Sequence, residues 1–234
     1  MIVGEYEGNY KSGRAIIFSH GFGMKRDSRG FFTEIGNELT NNFLIVRFDY
    51  CKMIPEDNAT LTYSLSVQAR MLQKVIEYVR LKFMIDELNI IAHSMGCLVV
   101  GMAKINKLNK VALLCAPPSK KIQKMQSYFN HKQGSEFNLN GFSKVKRSDG
   151  SWTYIHPDFW VDLQKVEPPK LFEKLSENCE AYFIRALQDD VIKNESYTKI
   201  KQLQSIKYIE LLGDHNFKEP NRKKLLATIV KIFN

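Results

Sequence analysis

A serine lies between small residues in the sequence Ala92-His93-Ser94-Met95-Gly96. A short apolar run precedes it, and a second apolar run with helical character follows it. A strand, a tight turn carrying a serine and a helix form a nucleophile elbow, in which small residues on either side let the strand and the helix pass close together. We therefore predict that this turn presents the Ser94 hydroxyl as a nucleophile. The alternative is a serine in an ordinary strand-to-helix turn.

A serine hydroxyl needs a base that takes its proton, and the base needs an acid that fixes its tautomer. His215 lies in the loop before the last predicted helix and is the expected base. His93 is expected to be packed or hydrogen-bonded, because adjacent residues of an elbow point in different directions. The acid is expected to be Asp189, with its neighbour Asp190 as the alternative. The resulting order, Ser then Asp then His, is the order found in folds built on this elbow.

Two backbone N–H groups must face the negative charge that develops on the substrate oxygen. Met95 follows the serine and supplies one at a helix N-terminus, where the helix dipole helps. Phe22 is expected to supply the other, because Gly21 and Gly23 on either side of it let the backbone turn inward. The His20-Gly21-Phe22-Gly23 sequence could also be an ordinary glycine turn.

The elements that must position these residues follow from hydrophobic periodicity. Buried strands are predicted at Arg14 to Ser19, Phe43 to Phe48, Leu88 to Ala92, Lys110 to Cys115, Glu180 to Ala186 and Lys207 to Leu212. Helices are predicted at Ser28 to Thr40, Tyr63 to Phe83, Lys170 to Ser176, Glu195 to Leu203 and from about Glu219 to Phe233. Ile2 to Tyr10 is predicted to be an edge strand or hairpin, and residues 50–62 a polar loop. Strands that alternate with helices and are buried on both faces predict a doubly wound, mostly parallel α/β sheet.

Polar residues gather at the carboxyl ends of these strands, where open parallel sheets place their chemistry. They are His20, Asp49, Ser94, Asp189 and His215. This placement does not depend on any single motif. We expect Asp49 to tie loops together and Asp214 to hold a turn or cap a helix.

The periodic pattern stops between residues 119 and 167. One hairpin is predicted there, Phe142 to Arg147 and Ser151 to Ile155 around Asp149-Gly150. We expect one domain over residues 1–234, with 119–167 as an inserted lid. Its aromatic side chains would suit an acyl or aryl group, or would give the insertion its own core. They are Tyr128, Phe129, Phe137, Phe142, Trp152, Tyr154, Phe159 and Trp160.

The composition narrows the functional classes. The 234 residues carry a net charge of +9, but the lysines are scattered along the chain, which favours solvated faces over a nucleic-acid interface. None of the four cysteines forms a C-x-x-C pair, so reduced thiols and a cytoplasmic location are expected. We find no signal peptide and no apolar run of about 18 residues that could span a membrane. The oligomeric state stays open.

Taken together, five motifs resemble those of the α/β-hydrolase superfamily, and they run along nearly the whole chain. They are FSHGFG at Phe18 to Gly23, RFDY at Arg47 to Tyr50, IIAHSMGC at Ile90 to Cys97, ALQDDVI at Ala186 to Ile192, and GDHNF at Gly213 to Phe217. Within the superfamily the chain is most similar to small serine esterases of the feruloyl or cinnamoyl esterase and monoacylglycerol lipase kind. Two departures stand out: CKMIPEDNAT replaces the usual G-x-G-x-S loop, and Ala186 replaces the usual glycine of the acid motif.

The resemblance implies Ser94 as nucleophile, Asp189 as acid and His215 as base, with the Phe22 and Met95 N–H groups as oxyanion donors. It implies hydrolysis of a small-molecule carboxylic ester, or a thioester, through an acyl-enzyme, without metal or cofactor. An amide or peptide hydrolase with the same triad is one alternative. A non-catalytic protein that uses the same pocket for binding is another.

Overall fold

The structure is a computed structural model, and it describes residues 2–120, 122–192 and 195–234. In chain order its strands are β1 (Gly4–Gly8), β2 (Arg14–Ser19), β3 (Leu44–Phe48), β4 (Cys51–Ile54), β5 (Ala59–Thr62), β6 (Glu87–His93), β7 (Leu108–Leu114), β8 (Ser143–Lys146), β9 (Trp152–Ile155), β10 (Glu180–Ala186) and β11 (Ile206–Leu211). Its helices are α1 (Phe31–Asn37), α2 (Leu65–Phe83), α3 (Met95–Met102), α4 (Ile122–Asn130), α5 (Pro157–Lys165), α6 (Pro168–Ser176), α7 (Thr198–Lys201) and α8 (Arg222–Phe233).

The central sheet has seven strands in the order β1-β3-β2-β6-β7-β10-β11. Every neighbouring pair is parallel except β1 and β3, which makes β1 an antiparallel edge strand. The predicted α/β class, the mostly parallel sheet and the N-terminal edge strand are therefore confirmed. Ser94, Asp189 and His215 follow β6, β10 and β11, so they lie at one edge of the sheet.

Helices cover both faces of this sheet. Successive residues of a strand point to opposite faces, and in β2 Ile17 belongs to one buried cluster while Ile16 and Phe18 belong to the other. The cluster with Ile17 holds the buried residues of α2, α3 and α6, and the other holds those of α1 and α8. Because the strands are buried on both faces, they appear in the sequence as continuous apolar runs.

The prediction of a polar loop over residues 50–62 is wrong. β4 and β5 form an antiparallel hairpin there, and β5 pairs in parallel with β9. β9 in turn pairs with β8, which confirms the predicted hairpin at 142–155 and completes a four-stranded second sheet. Four-residue strands are too short to show a period, and Ala59 finds its partner only at Trp152. The pairing of β5 with β9 joins the segment after β3 to the insertion.

Two helices have only about half of their predicted length. α1 begins at Phe31 rather than Ser28, because Ser28, Arg29 and Gly30 have φ angles of 50°, 59° and 85°, which a right-handed helix excludes. α7 covers only Thr198–Lys201 of the predicted Glu195 to Leu203 helix. The insertion also contains α4 and α5, which its irregular pattern did not indicate.

Aromatic side chains form much of the core of the insertion. Phe129, Phe159 and Trp160 are fully buried. The Trp160 ring contacts Phe129 and Phe137 edge-on, and its indole N–H donates to Ser143 Oγ at 3.0 Å. These side chains belong to the same buried cluster as Ile17 and the apolar residues of α2, α3 and α6, so the insertion packs onto the main core. Within the described ranges, no helix combines the length and the apolar character needed to cross a membrane.

Candidate active site

Ser94 has a strained backbone. It lies between β6 and α3 with φ 54° and ψ −126°, a region that costs a non-glycine residue about 1–3 kcal/mol. Its side chain does not cap the helix that it precedes. A β-carbon at Gly96 would lie 2.3 Å from the Ser19 carbonyl oxygen and 2.6 Å from that of His20, so only glycine fits where β2 and α3 pass each other. The sharp turn thus leaves the Ser94 hydroxyl without a structural partner.

His215 and Asp189 form a buried pair. His215 Nδ1 lies 2.7 Å from Asp189 Oδ2. The other carboxylate oxygen, Oδ1, accepts hydrogen bonds from Val191 N at 2.9 Å and Ile192 N at 2.7 Å. Burial alone would raise the pKa of Asp189, but His215 and these two N–H groups outweigh it and hold the pKa below its ordinary value. Asp189 is therefore ionised at neutral pH and fixes Nδ1 of His215 as the protonated nitrogen.

The structure separates the two aspartates that the sequence offered. Asp189 is 8% exposed and contacts the histidine, whereas Asp190 is exposed. The difference follows from the turn after β10, in which the Asp189 carboxylate accepts the N–H groups two and three residues ahead.

His93 connects the serine turn to the histidine loop. Its Nε2–H donates to the His215 carbonyl oxygen at 2.8 Å, and its ring meets Phe31 edge-on at 5.1 Å. Burial, together with repulsion from the charge of His215, lowers the pKa of His93 to about 3, so the imidazole stays neutral. It is packed and hydrogen-bonded, as its position in the elbow predicted. Nothing in the sequence indicated that its acceptor would be the backbone of His215.

Ser94 Oγ makes no hydrogen bond to any residue that the structure describes. His93 precedes Ser94 in the chain and is hydrogen-bonded to the backbone of His215. The serine turn and the His215 loop therefore lie side by side. Contacts between nucleophile and base are often loose in the absence of substrate.

The loop after β2 packs directly on the serine. A β-carbon at Gly21 would lie 3.1 Å from Ser94 Cβ and 3.7 Å from Ser94 Oγ. Among the described residues, neither the Phe22 N–H nor the Met95 N–H donates to an acceptor. Both N–H groups are thus unpaired among the described residues, as donors to an oxyanion would have to be.

His20 fixes the shape of this loop. Its Nδ1–H donates to the Gly21 carbonyl oxygen at 3.0 Å, and its Nε2 accepts from Tyr50 N at 3.0 Å. Burial lowers the pKa of His20, which keeps the ring neutral and able to make both bonds. His20 acts on the loop backbone, which distinguishes its role from that of His215.

A second network joins three elements behind the serine. Tyr50 OH donates to Ser19 Oγ at 2.8 Å, and Ser19 Oγ donates to the Gly96 carbonyl oxygen at 3.0 Å. Burial raises the pKa of Tyr50, so its hydroxyl stays a donor. The end of β3, the end of β2 and the start of α3 are thereby held together. The sequence showed Tyr50 only as part of the RFDY motif.

The remaining aspartates have the structural roles that were expected. Asp49 accepts from Arg26 N at 2.7 Å and pairs with Arg26 Nη1 at 2.6 Å, which ties the loop after β2 to the end of β3. Asp214 accepts from Asn216 N and Lys218 N and holds the turn before α8.

One group of side chains in the described ranges could in principle meet a metal ion. The ligand atoms of His93, Cys115 and His215 lie within 4.8 Å of one another. One ring nitrogen of each histidine already makes a bond described above, and burial raises the pKa of the Cys115 thiol well above its ordinary value, which disfavours the thiolate that a metal needs. We assign this group no metal. All four cysteines, which lie in the described part of the chain, are free thiols.

Comparisons with known proteins identify the fold. No family model and no curated protein matches the sequence. Among solved structures, Est1E from Butyrivibrio proteoclasticus matches with a TM-score of 0.73 at 14% identity, covering 98% of this chain and 92% of that one. It has also been solved with ferulic acid bound. The esterase domain of a Rhodothermus marinus protein matches with a TM-score of 0.64 at 15% identity over 99% and 98% of the two chains.

A thermophilic esterase from Thermogutta terrifontis matches similarly, with a TM-score of 0.65 at 12% identity over 98% of this chain and 92% of that one. The chain therefore has the α/β-hydrolase fold, as its motifs predicted. Structural neighbours with this fold include several esterases.

Proposed function

We propose that the protein is a serine hydrolase that cleaves carboxylic esters of small molecules through an acyl-enzyme. The observation that carries the proposal is the buried Asp189–His215 pair beside the strained turn of Ser94. Backbone strain and a buried carboxylate both cost stability, and their meeting at one edge of the sheet fits a catalytic role. The esterases among similar structures support ester chemistry.

In the first half-reaction, Ser94 Oγ attacks the carbonyl carbon of the ester while His215 Nε2 takes the hydroxyl proton. The carbonyl oxygen becomes negatively charged and accepts hydrogen bonds from Phe22 N–H and Met95 N–H. The imidazolium then gives its proton to the leaving alcohol, and the acyl group remains on Ser94. Asp189 stabilises the imidazolium through Nδ1.

In the second half-reaction, His215 takes a proton from water, and the resulting hydroxide attacks the acyl carbonyl. The same two N–H groups hold the second oxyanion. Collapse of this intermediate breaks the bond to Ser94 Oγ, which recovers its proton from His215. The products are a carboxylic acid and an alcohol, and every proton passes through one histidine.

The same residues could serve a thioester or an amide, because the attack on the carbonyl is the same. A binding-only protein would gain nothing from the Asp189–His215 pair, which makes catalysis the better reading. A cytoplasmic location is part of the proposal and is supported by the four free thiols.

The test is hydrolysis of 4-nitrophenyl esters, from acetate to palmitate, by the wild type and by Ser94→Ala. We expect turnover in the wild type and a loss of at least about a thousandfold in kcat for Ser94→Ala. Ser127→Ala, which removes an exposed hydroxyl from α4, is the matched control and should retain full activity.

Equal rates in the wild type and Ser94→Ala would refute the assignment of the nucleophile. If the wild type hydrolyses none of the esters but does hydrolyse the matched 4-nitroanilides, the substrates are amides rather than esters. Failure on both series would refute the hydrolase proposal.

A further inference from the structure

The guanidinium group of Arg147 lies flat on the oxyanion loop, which is the segment from His20 to Gly23. A β-carbon at Gly23 would lie 2.8 Å from Nη1 of Arg147, 3.0 Å from its Cζ and 3.3 Å from its Nη2. These three similar distances show that one face of the guanidinium covers Gly23, and they leave no room for a side chain there. Gly23 is the residue after Phe22, the proposed oxyanion donor. Arg147 therefore comes from the insertion to the margin of the active site.

The Arg147 guanidinium has no direct partner among the described residues. In the ranges that the structure describes, its guanidinium makes neither a hydrogen bond nor an ion pair, although the residue is half-buried. The nearby Asp149 carboxylate accepts from Ser151 N at 3.0 Å and Ser151 Oγ at 2.6 Å, and it attracts Arg147 only over a distance longer than that of an ion pair. An arginine offers five donors, and partial burial without an acceptor is unfavourable. The arrangement is therefore suited to an anion that arrives from outside.

The backbone holds Arg147 firmly in this position. Arg147 N donates to the Ser151 carbonyl oxygen at 2.8 Å, which closes the β8–β9 hairpin. Trp152 N donates to the Asn58 carbonyl oxygen at 3.0 Å, and β9 then pairs with β5. The second sheet thus links the hairpin to the segment that follows β3. The Arg147 backbone, one residue past the end of β8, is therefore held by the hairpin and by the second sheet.

Other positive charges lie nearby in the chain. Lys25 and Arg29 follow the oxyanion loop, both are exposed, and neither forms an ion pair with a described residue. Asp27 and Asp149 are the acidic groups of the same two segments, and each accepts hydrogen bonds from its own loop. The margin of the site on this side therefore attracts anions more than cations.

We infer that Arg147 binds a carboxylate carried by the substrate, so that the preferred substrates are esters with a free acid group. The inference rests on the proposed ester hydrolase function and names its substrate class. A single planar guanidinium matches a carboxylate in a two-hydrogen-bond pair. Because Gly21 packs on Ser94 and Gly23 on Arg147, the serine and the guanidinium are separated by at most roughly 17 Å along this path.

The experiment compares mono-4-nitrophenyl esters of adipic, suberic and sebacic acid with the same compounds capped as methyl esters. In the wild type, kcat/KM for the acid form should exceed that for the capped form by about tenfold at one length or more. Arg147→Gln should remove this preference through a higher KM, while kcat and the capped ester change by less than about twofold. Lys146→Gln, which removes an exposed charge from the adjacent position, should keep the preference.

Binding is measured separately from catalysis. Calorimetry of monomethyl suberate with Ser94→Ala should show binding that is about tenfold weaker in the Ser94→Ala/Arg147→Gln double variant. Sodium chloride should weaken the binding to Ser94→Ala, because a partly exposed ion pair is screened.

Equal turnover of acid and capped esters by the wild type would overturn the inference and leave the ester hydrolase intact. A preference that survives in Arg147→Gln would overturn the role of Arg147. A stronger preference for an ω-phosphate ester would overturn the choice of carboxylate. No turnover of any ester would refute the proposed function, and the calorimetry would then show whether the carboxylate site exists without it.

Discussion

Replacing His93 with glutamine should make the protein more resistant to acid. Burial and repulsion from His215 lower the pKa of His93 to about 3, against an ordinary value of 6.5 that applies in the unfolded chain. Below that ordinary value the unfolded chain binds a proton that the folded chain excludes, so stability falls as the pH falls from about 6.5 towards 3. Each pH unit in this window costs about 1.4 kcal/mol. Between pH 7 and pH 4.5 the loss due to His93 is about 2.5 kcal/mol.

The assay is urea unfolding at these two pH values. A glutamine amide can still donate to the His215 carbonyl oxygen, but it does not titrate, so the pH-dependent loss should be smaller by about 2.5 kcal/mol in His93→Gln. His20 is also buried and neutral, but it contributes equally to both proteins. His131→Gln, which changes an exposed residue directly after α4, is the control and should lose as much stability as the wild type. An equal loss in the wild type and His93→Gln would refute the buried, neutral state of His93.

Two further predictions concern the geometry of the site. Gly96→Ala should destabilise the fold by about 1–3 kcal/mol in urea and lower ester hydrolysis at least about tenfold, because its β-carbon meets the Ser19 carbonyl oxygen at 2.3 Å. In the control Gly101→Ala, in the same helix, the new β-carbon would meet the side chain of Leu171 at 3.1 Å, so the losses of stability and activity should be smaller. Equal losses in the two variants would contradict the close approach at Gly96. Asp189→Asn should lower kcat by about a thousandfold to ten-thousandfold, whereas Asp190→Asn should change it less than about twofold. The reverse result would show that Asp190 is the acid.

Much of the central sheet could be predicted from the sequence because its strands are buried on both faces. β2 and β10 have the predicted bounds, since apolar runs between clear turns leave little freedom. The order of polar residues along the chain also predicted which ones would share an edge of the sheet. Parallel strands bring their carboxyl ends together regardless of the loops between them.

The second sheet could not be predicted, because its stability comes from distant pairing. β4 and β5 each have only four residues, two of those in β4 are exposed, and β5 pairs with a strand of the insertion. The same reason explains why Arg147 was missed. Its proximity to Gly23 results from that pairing, and a single arginine in a hairpin carries no signal of it.

Within the site, residue types were easier to predict than contacts. The Ser94 turn and the Asp189–His215 pair follow from motifs that the sequence displays. The hydrogen bonds of His93 to the His215 backbone and of Tyr50 to Ser19 depend on side-chain directions across separate strands. Such directions are set by the packed fold, and local spacing does not reveal them.

The most direct test of the central claim is covalent labelling with a fluorophosphonate, followed by intact-protein mass spectrometry. Fluorophosphonates react with activated serines, so one adduct is expected on the wild type, mapped to the peptide that contains Ser94. Ser94→Ala should take up no label, and His215→Gln should react far more slowly, because its serine lacks a base. Labelling of Ser94→Ala at the wild-type rate, or an unlabelled wild type, would contradict the assignment of Ser94 as the activated nucleophile.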